Sequence, residues 1–225
     1  MTTFNEYSTE LACALNGYRA LIVPDVGNSY EQHWQSLWEQ SIPRTRRIRL
    51  HDWQAADWIK WRNSIIASLI SIDEPVVLIA EGFGALAAAS VAAEYPGKII
   101  AAFLVDPADP DDFDLRKKIP KQPLPIPTKI VIRNQTHTKA ALLAALWRTG
   151  LSHSVTIEPP QNEATASASI SNFWPEGIRV LNRLIGKTQR KADEMTQART
   201  KKILAYLRTI KKPKASSNSL NFNYS

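Results

Sequence analysis

The sequence predicts a doubly wound α/β fold with a mostly parallel sheet of about six strands. Short buried-strand patterns alternate with amphipathic segments at helical spacing, the order typical of βαβ units. The chain has 225 residues, 44% of them hydrophobic, which suits one globular domain with an appendage. The strand patterns cover residues 18–24, 46–50, 75–80, 99–105, 129–133 and 154–158.

Helices are predicted between these strands because apolar side chains recur there at intervals of three and four residues. They cover residues 30–41, 55–72, 83–95 and 139–147, and a final helix starts at 174. Residues 107–127, rich in proline and aspartate, are predicted to form a long surface loop. Ligands bind beyond the carboxyl ends of the strands in such folds, so functional residues are expected after each strand.

Composition narrows the function classes. Cys13 is the only cysteine, which excludes an internal disulfide and a cysteine-rich zinc site. The N-terminus lacks the pattern of a signal peptide, and Glu81, Glu94 and Lys98 interrupt the longest apolar stretch. We therefore expect a soluble cytoplasmic protein with no transmembrane segment. We also expect no cofactor and no metal, because the aspartates of residues 106–114 lack the spacing of a calcium loop.

The positive charge is concentrated at the C-terminus. Residues 187–225 hold ten basic and two acidic side chains, a net charge of +8. The other 18 basic and 19 acidic residues nearly cancel, at −1. A basic tail indicates a partner with an acidic surface, although a merely solubilising tail fits equally well. The candidate partner-binding residues are Lys187, Arg190, Lys191, Arg199, Lys201, Lys202, Arg208, Lys211 and Lys212.

Several motifs recur in one order. The chain reads VPDVGNS at 23–29, HWQSLW at 33–38, LVDP at 104–107 and WPEG at 174–177. These motifs resemble the small YdeN-type serine hydrolases, an α/β-hydrolase family that also includes the retinoblastoma-binding serine hydrolase. The resemblance covers about residues 19–185 and implies an α/β-hydrolase fold. It places residues 1–17 in an N-terminal extension, 18–186 in the hydrolase-like domain and 187–225 in a basic helix and disordered tail.

The catalytic triad that this family uses is not present at the matching positions. The family places its serine on a sharp strand-to-helix turn, where this chain has Gly82. The resemblance puts the acid at Gln135 and the histidine near Ala164. No histidine occurs after His153, so a small shift of the alignment cannot supply one. Conventional serine hydrolysis is therefore not expected.

The first loop departs from the family pattern as well. Asp25 replaces a glycine in a loop that helps to stabilise the oxyanion of the reaction, and a carboxylate there would repel that charge. Ser29 is predicted to cap the helix that follows. We expect a vestigial pocket, and its predicted residues are Asp25, Asn28, Ser29, Glu81, Gly82 and Phe83.

These observations predict a catalytically inactive α/β-hydrolase homologue that acts as a scaffold, adaptor or accessory subunit of a protein complex. It would bind protein partners through its extensions. One alternative is a divergent hydrolase with relocated catalytic residues near Asp25, Ser29, Glu81 and His137. A second is binding of the tail to nucleic acid or another anionic surface. Nucleic acid is the weaker of these because the tail lacks interleaved aromatic residues.

Overall fold

A computed structural model describes residues 4–132, 138–147, 154–156 and 173–210. Its contacts divide the chain into two compact units, Met1–Thr188 and Gln189–Ser225. Six parallel strands form one sheet in the first unit, in the order β2-β1-β3-β4-β5-β6. The strands are β1 (Arg19–Val23), β2 (Thr45–Arg47), β3 (Val76–Glu81), β4 (Ile99–Val105), β5 (Thr128–Ile132) and β6 (Ser154–Thr156).

The helices have the connecting positions that a doubly wound sheet requires. They are α1 (Phe4–Ala14), α2 (Trp34–Ser41), α3 (Trp58–Ile70), α4 (Gly82–Glu94), α5 (Thr138–Leu146) and α6 (Pro175–Ile210), with a short 3₁₀ helix at Pro110–Phe113. The side chain of Asp57 starts α3 by accepting from the N–H groups of Ile59 and Lys60. The predicted doubly wound parallel sheet, with a C-terminal helix, is confirmed.

Two apolar clusters make up the core of the first unit. One contains α3, α4 and the side chains that the strands direct toward them, with Trp61, Phe83 and Trp147 fully buried. The other contains Trp38, Phe173 and Trp174. Every residue of β3 is buried, as expected for a central parallel strand. Helix α1 contributes Tyr7 and Leu11 to the second cluster, and Leu15, directly after the helix, joins them, so this segment packs as part of the core.

Two local predictions were wrong. The helix predicted to begin at Tyr30 begins at Trp34, and its N-cap is His33 rather than Ser29. The imidazole Nδ1 of His33 accepts from the N–H of Gln35, which performs the capping role expected of a serine hydroxyl. Residues 107–127 are not simply a surface loop, because four of their apolar side chains enter the first cluster: Leu115, Ile119, Leu124 and Ile126.

Candidate functional site

Asp25 and Gly82 meet at the carboxyl edge of the sheet. Strands β1 and β3 are adjacent and parallel, and their register pairs Val23 with Ala80. Asp25 and Gly82 each lie two residues beyond this pair, so the register brings the first loop alongside the turn between β3 and α4. Gly82 is the first residue of α4 and has a φ of 56°. The chain therefore makes a sharp strand-to-helix turn at Gly82, as the sequence predicted.

The carboxylate of Asp25 is directed into this turn. Its Oδ1 accepts hydrogen bonds from the backbone N–H of Phe83 at 2.7 Å and from the N–H of Val26 at 2.8 Å. A charge-assisted bond of this kind is about twice as strong as one between neutral groups. Two backbone donors, one in the first turn of α4 and one in the loop after β1, are thus occupied by a side chain of the protein itself.

Gly82 leaves the space that this carboxylate fills. A Cβ atom added to Gly82 would lie 2.0 Å from Cγ of Asp25 and 2.1 Å from its Oδ2. These separations are far below van der Waals contact, so any side chain at position 82 would collide with the observed carboxylate. The positive φ also suits glycine and strains other residues. Gly82 and Asp25 are therefore complementary as a pair.

Gly84 holds the helix close to the first loop. An added Cβ would lie 2.1 Å from the carbonyl oxygen of Pro24 and 2.7 Å from that of Val23. The obstacles are backbone atoms, which cannot rotate away. The indole N–H of Trp61 also donates to the Pro24 carbonyl, at 3.3 Å. Together these contacts fix the position of Asp25 relative to α4.

Burial raises the pKa of Asp25 above its ordinary value of 3.8. The nearby carboxylate of Glu81 raises it further, whereas the N–H groups of Phe83 and Val26 and the imidazole of His33 lower it. The net direction is upward because the desolvation of the charged carboxylate is the largest cause.

This shift leads to an expected pH dependence. An acid whose pKa is higher in the folded chain than in the unfolded chain binds more protons when folded, so its ionisation lowers stability as pH rises. The wild type should therefore lose stability relative to D25N as pH increases from about 4 through the raised pKa of Asp25. Urea unfolding of both proteins at several pH values measures the difference. Parallel pH profiles would contradict the expected titration of Asp25.

Glu81 pairs with His33 beside this turn. The Nε2 atom of His33 lies 3.2 Å from Oε2 of Glu81, and both side chains are largely buried. Because Nδ1 accepts from the N–H of Gln35, the proton of a neutral imidazole is on Nε2 and is donated to Glu81. Both ring nitrogens of His33 are thus engaged by other groups of the protein.

Ser29 and Asn28 lie further along the first loop and are held by polar contacts. The hydroxyl of Ser29 donates to Oε1 of Gln35 at 2.6 Å. Asn28 has a positive φ of 63°, and its side-chain oxygen accepts from Arg47. Arg47 also forms an ion pair with Glu39 at 2.8 Å. The sequence did not indicate this role for Arg47, because an arginine on an edge strand is normally expected to face solvent.

The side chain of Phe83 belongs to the core rather than to an open pocket. It is fully buried. Its ring makes edge-on contacts with Trp61 at 5.3 Å and with Phe113 at 4.9 Å between centroids. Of the six predicted pocket residues, the structure brings Asp25, Gly82 and the backbone of Phe83 into direct contact. Ser29 and Asn28 are instead bonded to Gln35 and Arg47.

The other predicted residues have varied surroundings. Gln135, His137 and Ala164 lie outside the described residues. Among the aspartates of residues 106–114, the side chain of Asp109 accepts from the backbone N–H of Asp111. The carboxylate of Asp111 forms an ion pair with Arg116 at 2.9 Å. Within the described ranges, no group of three or more histidine, cysteine, aspartate or glutamate residues is arranged to hold a metal ion. No helix in the same ranges is long and apolar enough to cross a membrane.

The basic residues of the tail that the structure describes lie on α6. Lys187 is exposed, as are the five basic side chains at positions 190–202. The side chain of Arg208 and residues 211–225 lie outside the described part of the chain, so Lys211 and Lys212 are not placed. The predicted partner-binding residues that the structure does describe are therefore all accessible.

The serine hydrolase family model matches residues 20–183 of this sequence, which is most of the chain. The chain belongs to the serine hydrolase family. A YdeN-like hydrolase from Pectobacterium atrosepticum has a similar structure, with a TM-score of 0.71 and 29% sequence identity. That alignment covers 81% of this chain and 98% of the bacterial one. The YdeN-type resemblance predicted from the motifs is therefore confirmed.

More distant structures share the fold of this serine hydrolase family member. Mouse alpha/beta hydrolase domain-containing protein 10 aligns with a TM-score of 0.50 and 12% identity. The alignment covers 77% of this chain and 90% of the mouse protein, and at this identity it indicates the fold alone. No curated protein matches the sequence.

Proposed function

We propose that this chain is a catalytically inactive member of its family that serves as a scaffold, adaptor or accessory subunit. One observation carries the first part of this proposal: the Asp25 carboxylate accepts from the N–H groups of Phe83 and Val26 and fills the space beside Gly82. Serine hydrolysis requires a nucleophile and a pair of free donors at this location. Here the Asp25 carboxylate fills the space that a side chain at position 82 would need, and it occupies both donors.

The N–H groups of Phe83 and Val26 correspond to the donors with which α/β-hydrolases stabilise the oxyanion of the reaction. Their oxyanion hole consists of the N–H of the residue after the nucleophile and a second N–H from another loop after a strand. Phe83 follows Gly82 directly, and Val26 lies in the loop after β1. Loss of one such donor slows an enzyme by about a hundredfold to a thousandfold, and a negative charge in the same place opposes the oxyanion directly.

The nucleophile and its base are missing from the matching positions. Gly82 has no side chain that can attack a carbonyl carbon. Gln135 carries no charge to orient an imidazole, and Ala164 cannot accept a proton. Loss of serine or histidine alone costs on the order of a millionfold in turnover in a comparable triad enzyme. These differences support the proposal that the chain does not catalyse hydrolysis.

A divergent hydrolase with relocated residues is the second candidate. The cluster of Asp25, Glu81 and His33 favours it, because carboxylates and an imidazole together can transfer protons. The hydrogen bonds argue against it. Nδ1 of His33 faces the N–H of Gln35, and the hydroxyl of Ser29 donates to the amide of Gln35 rather than to a base. Among the described residues, neither Ser29 nor His33 has the contact that an activated pair requires, and His137 lies outside them.

The proposed binding role belongs to the basic extension. Arg190, Lys191 and the basic residues at 199–202 are exposed and positively charged. An acidic protein surface would complement them, and Lys187, Arg208, Lys211 and Lys212 extend the same charge along the sequence. Nucleic acid is a weaker match, because base stacking needs aromatic side chains and Tyr206 is the only aromatic residue between 187 and 210.

The catalytic part of the proposal is tested with a fluorophosphonate probe and short acyl esters. We expect the full-length protein to show no labelling and no turnover above the heat-denatured sample. Labelling that disappears in S29A would instead identify a relocated nucleophile. The matched control is S64A, because Ser64 is a hydroxyl on α3 that bonds the backbone carbonyl of Arg49.

The binding part is tested by affinity capture from the native cells. The comparison protein is a full-length variant in which Arg190, Lys191, Arg199, Lys201 and Lys202 are replaced with glutamine, which retains good helix propensity. We expect a partner bound by the wild type to be lost from this variant. A partner retained by both proteins would contradict binding through the basic helix.

A further inference from the structure

Helix α6 exposes apolar side chains in its second half. Ile203 and Leu204 are each 51% exposed, Leu207 is 48% exposed and Met195 is 65% exposed. At about 100° per residue, Ile203, Leu204 and Leu207 lie within one sector of about 100° on the helix surface. We call these three residues the apolar sector. Clustered apolar side chains on an exposed helix indicate a contact surface.

Basic side chains border the apolar sector on both sides. By the same helical spacing, Arg199 and Lys202 lie along one border and Arg190 and Lys201 along the other. All four are exposed. Long basic side chains at such borders can keep their stems on an apolar surface while their charged ends extend outward. The arrangement around residues 203–207 is that of an amphipathic helix with basic borders, and the exposed acidic residues of the segment are Asp193, nearly three turns before Ile203 at the angle of the apolar sector, and Glu194.

We propose that residues 189–210 of α6 lie in the plane of an anionic lipid bilayer. The apolar sector enters the boundary between headgroups and acyl chains, and the bordering cations contact headgroup phosphates. The segment of 22 residues is about 33 Å long, so its cations are spread along the bilayer surface. This inference depends on the binding role proposed for the extension, but not on the loss of catalysis.

At the apolar sector, the charge and sequence of the helix disfavour a second copy or a protein groove as the occupant. A second copy would bring the basic borders of two helices together, and like charges repel. A groove on an acidic protein would need apolar anchors repeated over several turns. The positions seven residues before Ile203 and Leu207 are occupied by Thr196 and Thr200. A bilayer needs no regular series of anchors, since it offers apolar depth beneath a continuous layer of negative charge.

Vesicle flotation of the full-length protein tests the proposal. The probes are vesicles of phosphatidylcholine alone and of phosphatidylcholine mixed with phosphatidylserine. We expect binding to the mixed vesicles only, with a marked decrease at high salt. Replacing Lys191, Lys201 and Lys202 with glutamine should weaken this binding about a hundredfold, because each basic residue near the surface contributes about fivefold.

Two double variants separate membrane insertion from simple charge attraction. I203Q/L207Q removes two members of the apolar sector and should weaken binding at least about tenfold. A198Q/A205Q is the matched control, because both alanines are exposed and lie on the opposite side of the helix. It should bind like the wild type. Helix content measured by circular dichroism should be the same in both variants.

Two outcomes would overturn the inference. Equal binding by I203Q/L207Q and A198Q/A205Q would show charge attraction without insertion of the apolar sector. Failure to bind phosphatidylserine vesicles, while the basic residues still retain an acidic protein, would identify a protein groove as the site and leave the proposed adaptor role intact. Reaction with the fluorophosphonate probe would overturn only the loss of catalysis, since that readout does not involve the helix.

Discussion

Replacing Gly84 with alanine is expected to lower the free energy of unfolding by about 3 kcal/mol. The added Cβ would lie 2.1 Å from the carbonyl oxygen of Pro24 and 2.7 Å from that of Val23. Both obstacles are backbone atoms next to β1, so α4 must move away from the sheet as a unit. Urea unfolding monitored by tryptophan fluorescence measures the loss.

Gly97 provides the control for this substitution. A Cβ at Gly97 has no heavy atom within 4 Å. G97A should therefore change the free energy of unfolding by less than about 1 kcal/mol. A similar loss in G84A and G97A would contradict the close approach of α4 to the first loop.

Replacing Gly82 with serine is expected to cost about 3 kcal/mol in the wild type. One part of this cost is the collision with the Asp25 carboxylate, at 2.0 Å from the added Cβ, and the other is the positive φ of 56°. In a D25A background only the strain of the backbone remains, so the cost of G82S should fall to about 1–2 kcal/mol.

A double-mutant cycle measures this coupling. Unfolding free energies of the wild type, G82S, D25A and D25A/G82S should give an interaction energy of about 1–2 kcal/mol, with the double variant more stable than the sum of the single changes predicts. Additive effects would contradict the placement of the carboxylate beside Gly82. The readout is stability, so it is independent of any enzymatic activity.

The sequence was sufficient to predict the parallel sheet and the turn at Gly82, because buried strands and helical periodicity are local signals. It also identified Asp25 as an unfavourable residue for an oxyanion. It did not predict that the carboxylate would bind the N–H of Phe83, 58 residues away. That contact depends on the register of β1 with β3 and on the space beside Gly82, and neither is encoded in a short motif.

Other misses have similar causes. The start of α2 was predicted too early because Ser29 is a common capping residue, whereas the imidazole of His33 provides the cap. The burial of Leu115 and Ile119 was missed because proline and aspartate dominate the composition of that segment. In both cases tertiary contacts outweighed a local preference.

The fit between Asp25 and Gly82 also restricts how this protein can change by single substitutions. A serine introduced at position 82 collides with the Asp25 carboxylate, so the substitution destabilises the protein while Asp25 is present. Removal of Asp25 must come first, and that step alone restores no nucleophile. The order of the two substitutions is therefore constrained, with loss of the Asp25 carboxylate before a serine at position 82.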